Sequence, residues 1–162
     1  MADLDEIQNP KRFIHRDMIL AIVQARMEST RLPGKVLKKV AGMSLIEILF
    51  YRLSKSKKIN KIILATSKSS ENNELANLVE KLGYGVYRGS ENNVLDRYYQ
   101  AAKHYMPDIV VRITGDCPIT EPKIIDSIIG EFESNNTDYT SNVFPASYPD
   151  GLDVEVFSFA AL

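Results

Sequence analysis

Apolar and polar positions along the chain alternate between the spacing of a buried strand and that of an amphipathic helix. Residues 18–25 are apolar and rich in β-branched side chains, which predicts a first buried strand. Segment 44–56 places its apolar residues on one helical face, and Ser44 with Glu47 forms a capping-box pattern at its start. The same reasoning predicts further strands at 61–66, 85–88, 108–114, 138–142 and 153–157, and further helices at 71–82, 93–105 and 122–133.

This order of strands and helices predicts an α/β fold with a mostly parallel sheet and helices on both faces. Ligands of such sheets bind beyond the carboxyl ends of the strands. Polar clusters follow the first, second and fourth strands at 26–35, 66–70 and 115–118. The chain has no internal repeat or dividing linker, so we expect a polar extension at 1–17 and one domain at 18–162.

Composition narrows the possible partners and compartment. The net charge of -1 argues against a broad nucleic-acid surface, so any anion site must be local. The apolar run 18–23 is too short to span a membrane, and we expect no membrane partner. The single cysteine, Cys117, has no internal disulfide partner, which is typical of a reducing compartment. We therefore expect a cytoplasmic protein.

The loop after the first strand has the composition of a phosphate site. Residues 25–35 read A-R-M-E-S-T-R-L-P-G-K and combine three cations, two hydroxyls and a glycine with one acid. Such groups can converge on a triphosphate, although a solvated basic loop is the alternative. The loop is not a Walker A motif, because Val36 follows Lys35 and Ser29 stands where the first glycine belongs.

The fourth predicted strand carries two further candidates for ligand binding. Asp116 follows Gly115 at the end of the strand, where a carboxylate could hold Mg²⁺ together with phosphate oxygens and water. The alternative is that Asp116 only caps a turn before Pro118. Arg112 lies within the apolar strand and needs a partner, which could be a structural carboxylate or a bound nucleotide.

Four segments together resemble the cytidylyltransferase family. They are IVQARMESTRLPGKVL (22–37), YRGSENNVLDRYYQAAK (87–103), VVRITGDCPI (110–119) and SNVFPASYPDGLDVEVFS (141–158), and the match covers roughly residue 18 to the end. Within the family the chain is most similar to the spore coat polysaccharide biosynthesis protein F group, whose relatives include the CMP-KDO and CMP-acylneuraminate synthetases.

The resemblance implies a Rossmann-like, GT-A-like three-layer sandwich that uses CTP and Mg²⁺ to activate a sugar or sugar acid for surface polysaccharide synthesis. Relatives are commonly homodimers, although the sequence itself does not give the oligomeric state of this chain. Family members normally continue for several dozen residues and carry a second metal-binding aspartate there. The resemblance therefore implies that a C-terminal part is missing, and that turnover by this chain is in doubt.

The candidate site residues fall into three groups. Arg26, Lys35 and Asp116 are the expected catalytic residues, and Asp116 is also the expected metal ligand. The expected nucleotide contacts are Ala25, Arg26, Ser29, Thr30, Arg31, Lys35, Thr66, Arg88, Ser90, Asp96, Arg97 and Arg112. The expected contacts to the acceptor are Asn142, Tyr148, Asp150, Asp153 and Glu155, although this acidic stretch could instead be a polar turn.

Three other functions remain open from the sequence. The chain could bind a nucleotide without turning it over, or it could use a nucleoside triphosphate other than CTP. It could also be a scaffold or dimerisation domain if Tyr98 and Tyr99 were exposed, although in an amphipathic helix such residues more often belong to the core. No residue stands out as a general base.

Overall fold

The computed structural model describes residues 17–29, 31–135 and 137–162. The strands are β1 (Ile19–Gln24), β2 (Lys39–Val40), β3 (Met43–Ser44), β4 (Lys61–Ser67), β5 (Gly85–Gly89), β6 (Ile109–Thr114), β7 (Tyr139–Ser141) and β8 (Glu155–Ser158). The helices are α1 (Leu45–Leu53), α2 (Asn73–Lys81), α3 (Val94–Tyr105) and α4 (Pro122–Asn135). Each predicted element is present, with ends that differ by up to three residues. Apart from Asp17, the predicted extension lies outside the described residues.

Six strands form one sheet in the order β5-β4-β1-β6-β8-β7. The first four are parallel, whereas β8 pairs antiparallel with both β6 and β7. The prediction of a mostly parallel sheet is therefore confirmed. Because β1 is central, its carboxyl end lies between those of β4 and β6, so the loops that follow these strands meet at one edge.

The central strand packs against helices on both of its faces. Alternate side chains of a strand point to opposite faces: Ala21 and Val23 pack with α1, α2 and α4, whereas Leu20 and Ile22 pack with α3. All four side chains are fully buried, and burying a Leu or Ile contributes about 1.5–3 kcal/mol. The result is a three-layer α/β sandwich.

No helix in the described part of the chain combines the length and apolarity needed to cross a bilayer.

Local signals explain where two helices begin or end. Ser44 caps α1, its hydroxyl accepting from the backbone of Glu47 while the Glu47 carboxylate accepts from the backbone of Ser44, as the capping-box pattern predicts. Gly83 follows α2 with φ of +88°, a left-handed conformation that glycine adopts without a steric cost. The start of α2 was predicted too early, because Ser70–Asn72 forms a 3-10 turn before the α-helix begins.

The hairpin of β2 and β3 was not predicted. Its two-residue turn consists of Ala41 and Gly42, with φ of 50° and 88°. Both residues are left-handed, as the tight turn of a twisted hairpin requires. The usual signal is an Asn-Gly or Asp-Gly pair, and Ala41 does not provide it.

Candidate functional site

A polar cleft lies at the carboxyl ends of β1 and β6. This is the edge of the sheet at which the sequence predicts that a ligand binds. It is open to solvent, and both the loop after β1 and the turn after β6 contribute to it. Its lining residues are Gln24, Ala25, Arg26, Glu28, Ser29, Arg31, Lys35, Val36, Arg112, Thr114, Gly115 and Asp116.

Gly115 allows the two strand ends to approach closely. Its backbone N–H donates to the carbonyl of Gln24 at 2.8 Å. A Cβ at this position would lie 2.5 Å from the Cβ of Ala25 and 2.9 Å from the carbonyl oxygen of Gln24. Because a larger residue would force the strands apart, glycine here determines how near Asp116 lies to the loop after β1.

A buried asparagine holds the loop after β1 in place. Asn72 is fully buried at the start of α2. Its Oδ1 accepts from the backbone of Met27 at 2.9 Å, and its Nδ2 donates to the Glu28 carboxylate at 2.9 Å and to Ser67 Oγ at 2.9 Å. The amide therefore joins the loop after β1 to the end of β4. Sequence reasoning missed Asn72, because nothing in a polar turn predicts which residue is buried.

Lys35 and Asp116 are in direct contact within the cleft. Lys35 Nζ donates to Asp116 Oδ2 at 2.5 Å, although the two residues are far apart in sequence. The hydrogen bond from Lys35 lowers the pKa of the Asp116 carboxyl, against the opposing effect of partial burial. The side chain of Asp116 is 43% exposed, so it remains accessible to a ligand.

The donor set suits a metal held mainly by its substrate. In the described ranges, no group of three or more His, Cys, Asp or Glu side chains could hold a metal ion. Two acidic residues line the cationic cleft: Glu28, which accepts from Asn72, and Asp116, which is exposed. Mg²⁺ commonly binds through one or two carboxylates together with phosphate oxygens and water. Asp116 thus fits Mg²⁺ that arrives with a nucleotide.

Arg112 has a structural carboxylate partner and also lies where a nucleotide could bind, so both alternatives that the sequence left open apply to it. It lines the cleft and also forms an ion pair with Glu155, its register partner on β8. The second carboxylate oxygen of Glu155 accepts from the hydroxyl of Tyr139 at 3.1 Å. Glu155 was expected to contact the acceptor, but its two oxygens are engaged within the sheet.

Several expected nucleotide contacts lie outside the cleft lining. Thr66 is fully buried. Arg88 was expected to bind a nucleotide, but its guanidinium donates to the carbonyls of Ser67 and Ser69 and to Asn73, which closes the loop after β4. Arg88 thus bonds to the backbone because β5 pairs directly with β4.

The start of α3 holds the remaining candidates of this group. Arg97 is buried and donates to the carbonyls of Ser90 and Glu91. Burial lowers the pKa of its guanidinium. Asp96 accepts from Gln100 along the helix. Arg97 thus stabilises the turn before α3, whereas Asp96 bonds within the helix, and neither residue lines the cleft. Thr30 lies outside the described residues.

The loop between β7 and β8 contains the expected acceptor contacts. Asn142 is buried, and its amide bonds to Leu152 and Val154 at 2.8 Å each, so it closes this loop. Tyr148 and Asp150 are exposed, and Asp153 is half-buried.

Cys117 lies in the turn after β6, next to Asp116. Burial raises the pKa of the Cys117 thiol, and the charges of Asp116, Asp153 and Asp150 raise it further, against a hydrogen bond with Thr114. The thiol is half-buried and 3.1 Å from Thr114 Oγ1. Cys117 is therefore partly packed against the turn after β6.

Some cleft residues were not among the expected site residues. They are Gln24, Glu28, Val36, Thr114 and Gly115. Gln24 and Thr114 end otherwise apolar strands. A polar residue at the carboxyl end of a buried strand was a signal that could have identified them.

The fold and the cationic cleft at its edge define a protein of the Rossmann-like nucleotidyltransferase class. Residues 20–156 match the family model described as cytidylyltransferase, and the chain belongs to this family. A solved cytidylyltransferase from Leptospira borgpetersenii superposes with a TM-score of 0.86 at 33% identity, over 90% of this chain and 62% of that chain. A CMP:2-keto-3-deoxy-manno-octonic acid synthetase complexed with CTP superposes with a TM-score of 0.72 at 14% identity, over 89% of this chain and 75% of that one, and supports the fold alone.

Sequence relatives include proteins with and without an assigned function. The chain is 47% identical over 89% of its length to an uncharacterized protein of Methanocaldococcus jannaschii and covers 58% of that protein. It is 39% identical over 75% of its length to the spore coat polysaccharide biosynthesis protein SpsF of Bacillus subtilis, covering 52% of it. A 3-deoxy-manno-octulosonate cytidylyltransferase of Geobacter sulfurreducens is 30% identical over 72% of this chain and 46% of the relative. The chain thus spans about half the length of these relatives.

Proposed function

We propose that the chain binds CTP in this cleft and transfers CMP to a sugar acid or related sugar, releasing pyrophosphate, as a step in surface polysaccharide synthesis. The observation that carries the proposal is that the three cations of the loop after β1 and Asp116 line one cleft in a chain of the cytidylyltransferase family. The name of the Geobacter sulfurreducens relative supports CTP as the donor and a sugar acid as the acceptor.

The loop after β1 would hold the triphosphate. Arg26 and Arg31 are exposed at the cleft and carry no resolved ion pair among the described residues, so their guanidinium groups can bind phosphate oxygens. Lys35 adds a compact charge, while Ser29 and Thr30 add hydroxyls. Groups fixed where charge develops stabilise the transition state, and loss of one such donor typically costs about 10²–10³ in rate.

The transfer forms one bond and breaks another at the α-phosphorus of CTP. The acceptor hydroxyl oxygen bonds to phosphorus, the bond to the bridging oxygen breaks, and pyrophosphate leaves while the hydroxyl proton is released to solvent. Arg26, Arg31 and Lys35 would neutralise the charge that accumulates on pyrophosphate. Mg²⁺ held by Asp116 would supply additional charge compensation at the phosphate oxygens.

The acceptor would bind beside the turn after β6. Tyr148 and Asp150 are exposed in the loop between β7 and β8, and Asp153 is half-buried there. Carboxylates can accept hydrogen bonds from sugar hydroxyls, and a phenol can both accept and donate them. Asn142 and Glu155 would act indirectly, because their polar atoms bond within the β7–β8 region.

Two assays on the full chain test this function. Calorimetry with CTP, UTP, ATP and GTP in the presence of Mg²⁺ should show preferential binding of CTP. Pyrophosphate release should then depend on both CTP and a sugar acid such as 3-deoxy-manno-octulosonate. Preference for another nucleotide would contradict the choice of donor. CTP binding without pyrophosphate release for any sugar acid would instead identify a nucleotide-binding module.

A further inference from the structure

We infer that the side-chain amide of Gln24 binds the base of the nucleotide, an inference that rests on the proposed function. Gln24 is the last residue of β1 and lines the cleft. It pairs in register with Ala65 on β4 and with Thr114 on β6. The alternation along β1 places its side chain on the α3 face of the sheet, because Leu20 and Ile22 point there.

The amide oxygen of Gln24 is buried without a hydrogen-bond donor. Considering only the residues that the structure describes, no group donates to Gln24 Oε1, and this atom is shielded from solvent. An amide oxygen left in that state destabilises the folded chain. The terminal amide torsion of glutamine is broad, so the head group can turn toward the cleft. A ligand that offers a donor would remove the penalty.

The chemistry of the amide favours a base over a phosphate. Phosphate oxygens only accept hydrogen bonds, so they would leave Gln24 Oε1 unpaired, and the cations that suit them lie in the loop after β1. A glutamine amide presents an acceptor and a donor side by side. Cytosine presents the matching pair, because its amino group donates and its neighbouring ring nitrogen accepts. This two-bond pairing is the one that glutamine and asparagine use on base edges elsewhere.

The inference is tested with CTP and with the analogue of CTP whose base lacks the amino group. Calorimetry in Mg²⁺ gives the ratio of the two affinities. The wild-type chain should prefer CTP by about tenfold or more, as expected for loss of a base-edge contact. Gln24→Leu should reduce this ratio to near one, while inorganic tripolyphosphate should bind both proteins equally.

Gln100→Leu is the matched control, because Gln100 lies on α3 and donates to Asp96 outside the cleft lining. It should keep the wild-type ratio. Thermal unfolding should show that Gln24→Leu is at least as stable as wild type, since leucine has no oxygen to leave unpaired. An unchanged ratio in Gln24→Leu, or equal losses of CTP and tripolyphosphate affinity, would overturn the role of Gln24 while leaving the proposed function intact. Failure of the wild-type chain to bind CTP would instead defeat the proposed function.

Discussion

Lys35 Nζ and Asp116 Oδ2 lie 2.5 Å apart in the cleft, so the cation of one loop and the carboxylate of the other neutralise each other in the free protein. The contact exists because Gly115 lets the end of β6 approach the end of β1. A triphosphate with its metal would compete for both partners. Phosphate oxygens attract Lys35, whereas the metal attracts Asp116. The ion pair can therefore hold both side chains in position until the ligand arrives.

Asp116→Asn should have opposite effects with and without Mg²⁺. Without metal, the variant should bind CTP several-fold more tightly, because a negative charge is removed and Lys35 is released; one unit charge at about 4 Å is worth roughly 1 kcal/mol in water. With Mg²⁺, the variant should bind CTP more weakly than wild type. Calorimetry in EDTA and in Mg²⁺ measures the CTP affinity of the variant and of the wild type in the two conditions. Equal weakening in the two conditions would argue against a metal at Asp116.

Asn72→Asp should destabilise the chain and weaken CTP binding. The new carboxylate would lie near the Glu28 carboxylate, where Nδ2 now donates at 2.9 Å. Loss of this buried donor should cost about 1–3 kcal/mol in the free energy of unfolding. Urea denaturation measures this loss. Adding Glu28→Gln to the Asn72→Asp variant should recover part of the lost free energy of unfolding, because it removes one of the two carboxylates.

Asn73→Asp is the control for that substitution. Asn73 is the next residue and is exposed, and its Oδ1 accepts from Arg88 at 2.7 Å. An aspartate there keeps the acceptor and adds a favourable charge, so stability should change by less than about 0.5 kcal/mol. If both asparagine variants behave alike, Asn72 has no special role in positioning the loop.

Gly115→Ala and Gly130→Ala should have opposite effects on stability. The added Cβ at residue 115 meets backbone and Ala25 at 2.5–2.9 Å and should cost about 1–3 kcal/mol. At residue 130, within α4, the nearest atom is Lys58 Cε at 3.8 Å, and alanine should stabilise the helix by up to about 1 kcal/mol. Urea denaturation of both variants gives the comparison. An unchanged free energy of unfolding in Gly115→Ala would show that the fold does not depend on the close approach of the two strand ends.

Ser44→Ala should remove the cap of α1 and change the titration of Glu47. Hydrogen bonds from Ser44 lower the pKa of the Glu47 carboxyl. The contribution of ionised Glu47 to the free energy of unfolding is therefore fully present above its unfolded pKa of about 4.3. It is lost as the pH falls through the lower pKa of the folded state. At pH 7 the variant should lose about 1 kcal/mol, and NMR titration should find the pKa of Glu47 raised.

Ser134→Ala provides the comparison for the cap. Ser134 is an exposed helical serine whose hydroxyl donates to the carbonyl of Gly130. Its replacement should change the stability by less than about 0.5 kcal/mol. Equal losses at the two serines, or an unchanged pKa of Glu47 in Ser44→Ala, would contradict the capping box.

The sequence predicted the parts of this molecule that depend on local pattern. Hydrophobic spacing identified the buried strands and the helices that cover them, and Ser44 with Glu47 marked the start of α1. The sheet-edge rule also located the loop after β1 and the turn of Asp116 at one edge. These features follow from the backbone period and from topology.

Side-chain pairing across the fold could not be predicted in the same way. Arg112 needed a partner, but only the register of β6 with β8 shows that Glu155 supplies it. Arg88 is a cation near the ligand edge, yet its guanidinium bonds to the loop after β4. Asn72 looks like any polar turn residue, although it is fully buried. Each outcome depends on distant elements whose orientation no local pattern contains.

The most direct test of the proposed site compares Lys35→Ala with Lys38→Ala by calorimetry with Mg²⁺ and CTP. Lys35 lines the cleft, whereas Lys38 is an exposed lysine outside it. We predict that Lys35→Ala weakens CTP binding by about tenfold or more, with a stability change below about 1 kcal/mol, and that Lys38→Ala binds like wild type. Equal CTP affinity in wild type and Lys35→Ala would contradict the proposed nucleotide site.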